Sequence, residues 1–182
     1  MSAALVVIDV QKAFHETDVT GAARSCPEAA ENIAKLLEHF RSQDVPVIHV
    51  HHHADDPDDP FFSDGPGAAP EEFAKPIGDE PTIVKKTSSA FVGTGLDEML
   101  RLKGVSELTL CGAAANYCVD STARSAGDLG YSVQVVGDAV WTYGEAGPDG
   151  VGYEGQTLHA VSMANLHGEF ATVVSTRDVL DR

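Results

Sequence analysis

Three side chains that are able to share one reaction follow short apolar segments of this chain. Asp9 comes directly after the first such segment, and a lysine, either Lys85 or its neighbour Lys86, follows a later one. Cys118 lies a few residues beyond a third segment, where the next helical pattern begins. A thiol can attack a carbonyl carbon while a nearby carboxylate takes the thiol proton and returns it to a leaving amine. The set therefore predicts nucleophilic catalysis by a cysteine, whose pKa a helix N-terminus and a nearby cation would lower.

These side chains need a scaffold that brings them together, and the pattern of the chain predicts one. Short apolar runs alternate with helical patterns, which is typical of repeated βα units with a parallel sheet. Six strands are predicted, at residues 3–8, 46–50, 82–84, 107–111, 132–136 and 171–174. The clearest helix is predicted over residues 28–42, where apolar residues recur at helical spacing. The fold class that we expect is α/β, a three-layer α/β/α sandwich with a six-stranded, mainly parallel, Rossmann-like sheet, in a single domain over residues 1–182.

The carboxyl edge of the predicted sheet is the expected place of the reaction, because ligands of open parallel sheets bind beyond that edge. Asp9, the lysine and Cys118 each follow a strand, so we expect them to converge there. The turn over residues 112–118 adds further chemistry, because its backbone N–H groups could hold the oxyanion that forms when a carbonyl is attacked. Its three successive alanines, residues 113–115, would let a substrate come close to the backbone.

Three longer motifs stand in order along the chain. They are VIDVQKAF at residues 7–14, KKTSSAFVGTGL at residues 85–96 and GAAANYCV at residues 112–119. Together they resemble the isochorismatase-like cysteine hydrolase family, and the resemblance spans nearly the whole chain. It implies that the family's Asp–Lys–Cys triad stands at Asp9, Lys85 and Cys118. Lys85 is favoured over Lys86 because the family lysine stands four residues before the serine of the Ser-Ala-Phe motif, here Ser89.

The same resemblance implies the reaction and the rest of its machinery. A cis peptide bond that helps to shape the family's oxyanion hole is implied between Ala113 and Ala114, with the backbone N–H groups of Ala114 and Cys118 as donors. Family members that act on isochorismate lack the cysteine, so Cys118 points to hydrolysis of a C–N bond in a small amide or carbamoyl substrate, through a thioester. Ala115 departs from the family, which often has threonine there, and this puts one polar contact of the turn in question. Oligomers are common in the family, so we also expect a homo-oligomer, either a dimer or a tetramer.

Aromatic and histidine side chains are the candidates for the walls of a substrate pocket. Phe14, which belongs to the first motif, and Tyr117, which stands beside the thiol, are expected to line it together with His51. The long loop over residues 54–76 is predicted to form a lid or a binding wall, since loops of this length in a compact domain are usually functional. Further aromatic residues are predicted on loops at the same edge, where they could close over a substrate or pack at a subunit interface: Phe61, Phe62, Trp141 and Tyr143.

A run of histidines on and just after the second predicted strand raises the question of a metal. An alternating strand would place His49, His51 and His53 on one face and His52 on the other. Family members that resemble nicotinamidases hold a metal here through an Asp-x-His pair, whereas this chain has histidines where that pattern begins with Asp. We therefore predict no metal and no cofactor, and keep a metal-assisted, nicotinamidase-type amidase as the alternative.

Composition excludes several classes of partner. The chain has 28 acidic residues against 12 lysines and arginines, a net charge of −16, whereas nucleic acids and anionic membranes bind basic patches.

No segment approaches the ~18 apolar residues of a membrane span, and no secretory signal opens the chain. With Cys26 and Cys111 interpreted as structural free thiols, we expect a cytoplasmic protein whose partner is a small-molecule substrate. A non-catalytic α/β module that binds a small molecule is the remaining alternative.

Overall fold

The centre of the fold is a six-stranded sheet. The computed structural model describes residues 2–181, so Met1 and Arg182 of the predicted domain lie outside the described residues. In chain order the strands are β1 (Ser2–Ile8), β2 (Val47–His52), β3 (Thr82–Lys85), β4 (Val105–Ala113), β5 (Ser132–Trp141), β6 (Glu145–Ala146), β7 (Gly152–Tyr153) and β8 (Thr172–Val174). The sheet has the order β3-β2-β1-β4-β5-β8, and β6 and β7 form a separate antiparallel ribbon. The predicted fold class is confirmed, and every pair of neighbouring strands in the sheet is parallel.

Helices cover both faces of this sheet and complete the three layers. They are α1 (His15–Val19), α2 (Ala29–Ser42), α3 (Leu96–Leu102), α4 (Asp120–Asp128), α5 (Gly155–Leu166) and α6 (Thr176–Leu180). On one face, α2 and α6 contribute Leu37 and Val179 to an apolar cluster. On the other face, α3, α4 and α5 contribute Leu100, Ala123 and Leu166 to a second cluster.

Burial explains why these segments form these elements. The β1 residues Ala4 to Ile8 are at most 2% exposed, as expected for a central strand of a parallel sheet that is covered on both faces. In α2, apolar side chains recur every three or four residues and turn one face of the helix towards the sheet. The buried members of that face are Ala29, Ile33, Leu36, Leu37 and Phe40.

Several elements differ in extent from the sequence-based prediction. β2 continues to His52 and β5 continues to Trp141, because their pairing with β3 and β4 extends further than the apolar runs do. Trp141 therefore lies in a strand and not in a loop. No helix within residues 2–181 combines the length and the apolar character that crossing a membrane requires.

Candidate active site

Asp9, Lys85 and Cys118 meet at the carboxyl edge of the sheet. Asp9 follows β1 directly, Lys85 is the last residue of β3, and Cys118 lies in a single π-helical turn, Ala115–Val119, that begins two residues after β4. The Lys85 Nζ atom lies 2.7 Å from Asp9 Oδ2 and donates a hydrogen bond to Cys118 Sγ at 3.2 Å. The amine thus bridges the carboxylate and the thiol in one cluster.

A close approach between β1 and β4 makes this meeting possible. Gly112 pairs with Ile8 across the two strands and has a φ of +121°. A Cβ atom at position 112 would lie 2.0 Å from the Ile8 carbonyl oxygen, so any other residue would push the strands apart. Asp9 itself has a φ of +51°, a left-handed conformation in which aspartate is enriched among non-glycine residues. Both local features bring the carboxylate close to the turn that carries Cys118.

The structure distinguishes between the two neighbouring lysines. The side chain of Lys85 is fully buried, and besides its contacts with the carboxylate and the thiol it donates a hydrogen bond to the Thr87 carbonyl oxygen at 3.1 Å. Lys86 points to the surface, where its side chain is 63% exposed and forms an ion pair with Asp55 at 2.5 Å. Lys85 is therefore the lysine of the cluster, as the family resemblance implies.

Burial dominates the electrostatics of the cluster. The side chain of Asp9 is only 2% exposed, and burial raises the pKa of this carboxyl group although Lys85 opposes the shift. Burial, with a further contribution from the Asp9 carboxylate, raises the pKa of the Cys118 thiol to about 12. The prediction that a helix N-terminus lowers the pKa of this thiol is therefore wrong for the resting site. In that state Cys118 keeps its proton, and a nearby base has to remove it when it reacts.

The turn after β4 has the backbone that the family resemblance implies. The Ala113–Ala114 peptide bond is cis. The Ala114 carbonyl oxygen accepts hydrogen bonds from the backbone N–H groups of Tyr117 and Val119, both at 3.1 Å, and these bonds close the turn. Ala114 and Cys118 both line the cavity described next, which places the two predicted oxyanion donors on its wall.

A cavity of about 410 Å³ opens above the cluster. Asp9 and Cys118 lie at its base, and three aromatic residues form much of its wall: Phe14, Phe61 and Tyr117. The Phe14 and Phe61 rings meet edge to face, with their centroids 5.3 Å apart. Polar residues complete the lining, namely His52, Asp59, Lys86, Thr87 and Ser88. The long loop over residues 54–76 thus supplies part of a binding wall, as predicted from its length.

The histidine in the cavity wall is His52, whereas the sequence pattern placed His51 there. His51 and His49 lie on the other face of β2, with their ring centroids 6.4 Å apart. His52 is the next residue of the strand after His51, so its side chain points to the opposite face. Its ring packs against Phe61 with centroids 5.3 Å apart. The predicted alternation is present, but the sequence did not reveal which side of β2 faces the cavity.

The other aromatic candidates have different positions. Trp141 is fully buried and Tyr143 lies beside it, and both pack behind Phe14 with centroids 5.5 and 6.0 Å from its ring. They support the pocket wall from behind and do not line the cavity. Phe62 is also outside the lining, although its neighbour Phe61 is part of it.

Gln11 is a residue of the site that sequence reasoning missed. It is fully buried, and its amide nitrogen donates hydrogen bonds to the His52 carbonyl oxygen at 3.0 Å and to the Ala68 carbonyl oxygen at 2.8 Å. Its amide oxygen accepts from the His52 backbone N–H at 2.8 Å. One side chain therefore joins the end of β2 to the long loop beside the cavity. A polar residue two positions after Asp9 was the only signal available in the sequence.

His49, Cys26 and Cys111 do not line the cavity. His49 bonds to Glu80, whose pKa is held at about 2, since hydrogen bonds from Arg41, the Ile77 N–H and His49 outweigh its burial. Burial also raises the pKa of the thiols of the two buried cysteines, Cys26 and Cys111. Within residues 2–181, no three His, Cys, Asp or Glu side chains are grouped as metal ligands would be.

The fold and the cluster define a class of protein, a three-layer α/β sandwich with an Asp–Lys–Cys cluster at the carboxyl edge of its sheet. Comparison with known proteins gives the family. The model of the Isochorismatase domain matches residues 3–178. The isochorismatase family protein YrdC of Bacillus subtilis is 35% identical over 178 residues, which cover 98% of this chain and 94% of that protein.

Solved structures agree with this match. A crystal structure of a hydrolase assigned to the isochorismatase family, from Chromobacterium violaceum, has a TM-score of 0.93 and 34% identity, covering 99% of this chain and 92% of that one. A cysteine hydrolase from Pseudomonas syringae pv. phaseolicola has a TM-score of 0.90 and 25% identity, covering 98% and 91% of the two chains. The chain belongs to the isochorismatase family of hydrolases.

Proposed function

We propose that this protein hydrolyses a C–N bond of a small amide or carbamoyl compound, with Cys118 as nucleophile. The observation that carries the proposal is the contact of Lys85 Nζ with both Asp9 Oδ2, at 2.7 Å, and Cys118 Sγ, at 3.2 Å, at the base of a cavity of about 410 Å³. Nucleophilic catalysis by a cysteine requires a thiol, a base and a group that stabilises the sulfur anion. Here these three groups are in contact below a cavity whose wall is partly aromatic.

Acylation begins with transfer of the Cys118 proton to Asp9. The sulfur then forms a bond to the substrate carbonyl carbon, and the electron pair of the C=O double bond moves to its oxygen. The backbone N–H groups of Ala114 and Cys118 hold this oxyanion. When the C=O bond re-forms, the C–N bond breaks and Asp9 returns the proton to the leaving nitrogen, so that ammonia or an amine departs and a thioester remains.

Deacylation repeats these steps with water. Asp9 takes a proton from a water molecule as the water oxygen attacks the thioester carbonyl carbon, and collapse of the second oxyanion breaks the C–S bond. The proton passes from Asp9 to the departing Cys118 sulfur, which restores the thiol. The sum is one amide and one water converted to one carboxylic acid, or carbamic acid, and one amine.

The electrostatics of the resting site support Asp9 as the base. Burial raises the pKa of Asp9, which brings its basicity closer to that needed near neutral pH. Its Oδ1 atom is buried and has no hydrogen-bond partner among the described residues, so this lone pair is available to a proton. Lys85 stabilises the ionised carboxylate before transfer and the sulfur anion during it, since it contacts both groups.

Relatives of the chain support the type of bond. Streptothricin hydrolase of Streptomyces noursei is 37% identical over 153 residues, which cover 80% of this chain and 52% of that protein. Ureidoacrylate amidohydrolase RutB of Acinetobacter baylyi is 33% identical over 107 residues. Their names describe hydrolysis, in one case of an amide, and the cysteine hydrolase among the structural neighbours fits the same chemistry.

A screen for released ammonia and amines tests this proposal. Purified protein is incubated with small amides, carbamoyl compounds, nicotinamide and lactams, in parallel with Cys118→Ala and with Cys26→Ala as a matched control. Cys26 is a buried thiol outside the cavity lining, so its removal is expected to leave turnover unchanged, whereas Cys118→Ala is expected to abolish it. Hydrolysis that survives Cys118→Ala would refute the nucleophile. Loss of activity on chelation, with stoichiometric metal in the active protein, would favour the metal-assisted alternative.

A further inference from the structure

The outer part of the cavity contains a carboxylate, Asp59, that forms no ion pair with any described residue. Its side chain is held in place, because Asp59 Oδ1 accepts a hydrogen bond from the Phe61 backbone N–H at 2.7 Å. Its backbone is held as well, since the Asp59 N–H donates to Asp56 O at 3.1 Å and the Asp59 carbonyl accepts from the Phe62 N–H at 2.9 Å. The cavity therefore has a negative charge at a defined position.

The other charged groups of the cavity do not cancel this charge. Asp9, at the base of the cavity, is paired with Lys85, and Lys86 is paired with Asp55 at 2.5 Å. The pKa of His52 is lowered by burial and by Lys85, against the opposing influence of Asp59, so this ring is neutral near pH 7. Asp59 is therefore the charged side chain of the cavity lining that has no ion-pair partner among the described residues.

Aromatic rings line the same cavity as Asp59. Phe61 is two residues away in the chain, and its ring lies against Phe14 in the same cavity. Tyr117 contributes a third ring to the lining. Ammonium groups bind well where a carboxylate and aromatic faces surround them, because the ring quadrupole also attracts a cation. A carboxylate group beside Asp59 would meet electrostatic repulsion.

We infer that Asp59 selects substrates by charge, favouring amides that carry a protonated amine or quaternary ammonium group at the end remote from the scissile bond. Amides with a carboxylate at that end are disfavoured. This inference rests on the proposed function, which places the scissile carbonyl at Cys118, and it names the substrate class of the same site.

The charge preference can be measured on Cys118 without turnover. Three methanethiosulfonate reagents differ in charge: the cationic trimethylammonioethyl, the neutral methyl and the anionic sulfonatoethyl compound. Each converts a thiol to a mixed disulfide and releases a sulfinate, and peptide mass spectrometry assigns the reaction to Cys118. The rates are divided by those with 2-mercaptoethanol, which removes the intrinsic reactivity of each reagent. We expect the cationic reagent to react faster than the anionic one in the unmodified protein.

Two isosteric variants locate the source of this preference. Asp59→Asn removes the charge but keeps Oδ1 as acceptor for the Phe61 N–H, and is expected to lower the cationic-to-anionic rate ratio about fivefold. Asp58→Asn makes the same change of charge one residue away, at an exposed position outside the cavity lining, and is expected to leave the ratio nearly unchanged. In the unmodified protein, added salt is expected to narrow the ratio, because ions screen the charges of the protein.

Three results would overturn the inference: a preference for the anionic reagent, an unchanged ratio in Asp59→Asn, or an equal decrease in Asp58→Asn. None of them depends on hydrolysis, so a failure of the proposed function would appear in the ammonia screen and not here. Once a hydrolysed amide is known, analogues with a remote ammonium, hydroxyl or carboxylate group extend the test to kcat/KM.

Discussion

Replacing Lys85 with methionine probes the buried ion pair on which the site depends. Methionine retains most of the length of the side chain but removes the charge that lies 2.7 Å from Asp9 Oδ2. Both side chains are almost completely buried, so the carboxylate left behind is poorly hydrated and has lost its ion-pair partner. Removal of one partner of a buried pair typically costs about 3–5 kcal/mol, which is the decrease in unfolding free energy that we expect near pH 8.

The cost of this substitution depends on pH in a defined direction. Lys85 opposes the upward shift of the Asp9 pKa, so its loss raises that pKa further. A folded state with a raised pKa binds the proton more tightly than the unfolded state, so stability is lost as pH rises from the ordinary aspartate pKa through the folded-state pKa. Lys85→Met is therefore expected to lower the unfolding free energy more at pH 8 than at pH 5.

Urea unfolding of four proteins at pH 5 and pH 8 checks this reasoning. They are the unmodified protein, Lys85→Met, Asp9→Asn and the double variant. The double variant has no unpaired buried charge, so it is expected to be more stable than Lys85→Met at pH 8. Its unfolding free energy is expected to lie below that of the unmodified protein by nearly the same amount at both pH values. Two results would refute this expectation: a loss of unfolding free energy in Lys85→Met that is equal at the two pH values, or a double variant that is no more stable than Lys85→Met at pH 8.

Three further predictions concern other groups. Glu80→Gln is expected to lower the unfolding free energy at pH 7 by about 2–3 kcal/mol. Because the folded-state pKa of Glu80 is about 2, urea unfolding curves should show that this loss becomes smaller below pH 4.5. Gln11→Ala leaves buried backbone groups unpaired, and is expected to cost about 2–4 kcal/mol in urea and to lower kcat/KM. Iodoacetamide is expected to label Cys118 before the buried Cys26 and Cys111, as peptide mass spectrometry would show; equal labelling would contradict an accessible nucleophile.

The positions of the cluster residues followed from general properties of parallel sheets. Asp9 and Lys85 come at or just after the ends of apolar runs, and Cys118 lies two residues before α4, so convergence at the carboxyl edge required only the βα pattern. The choice of Lys85 over Lys86 came from the family motif and not from the βα pattern. Its physical basis is the pairing of β3 with β2, which directs one lysine inward and leaves the other at the surface.

Other features of the site depend on distant contacts that a local pattern does not encode. The raised pKa of Cys118 arises from burial and from Asp9, which is more than a hundred residues away in the chain. Gln11 forms its hydrogen bonds with residues 41 and 57 positions along the chain, so its role becomes visible only once the loop is placed. The position of His52 in the cavity likewise depends on which face of β2 the loop covers.

In the proposed mechanism the Cys118 sulfur carries the acyl group during turnover, and intact-protein mass spectrometry can detect this thioester. An amide found in the screen is mixed with the protein and quenched in acid within the time of one turnover. We expect an added mass equal to the acyl part of the substrate, located on Cys118 and absent from Cys118→Ala. Hydrolysis by Cys118→Ala at the rate of the unmodified protein, with no acyl adduct on either, would contradict it.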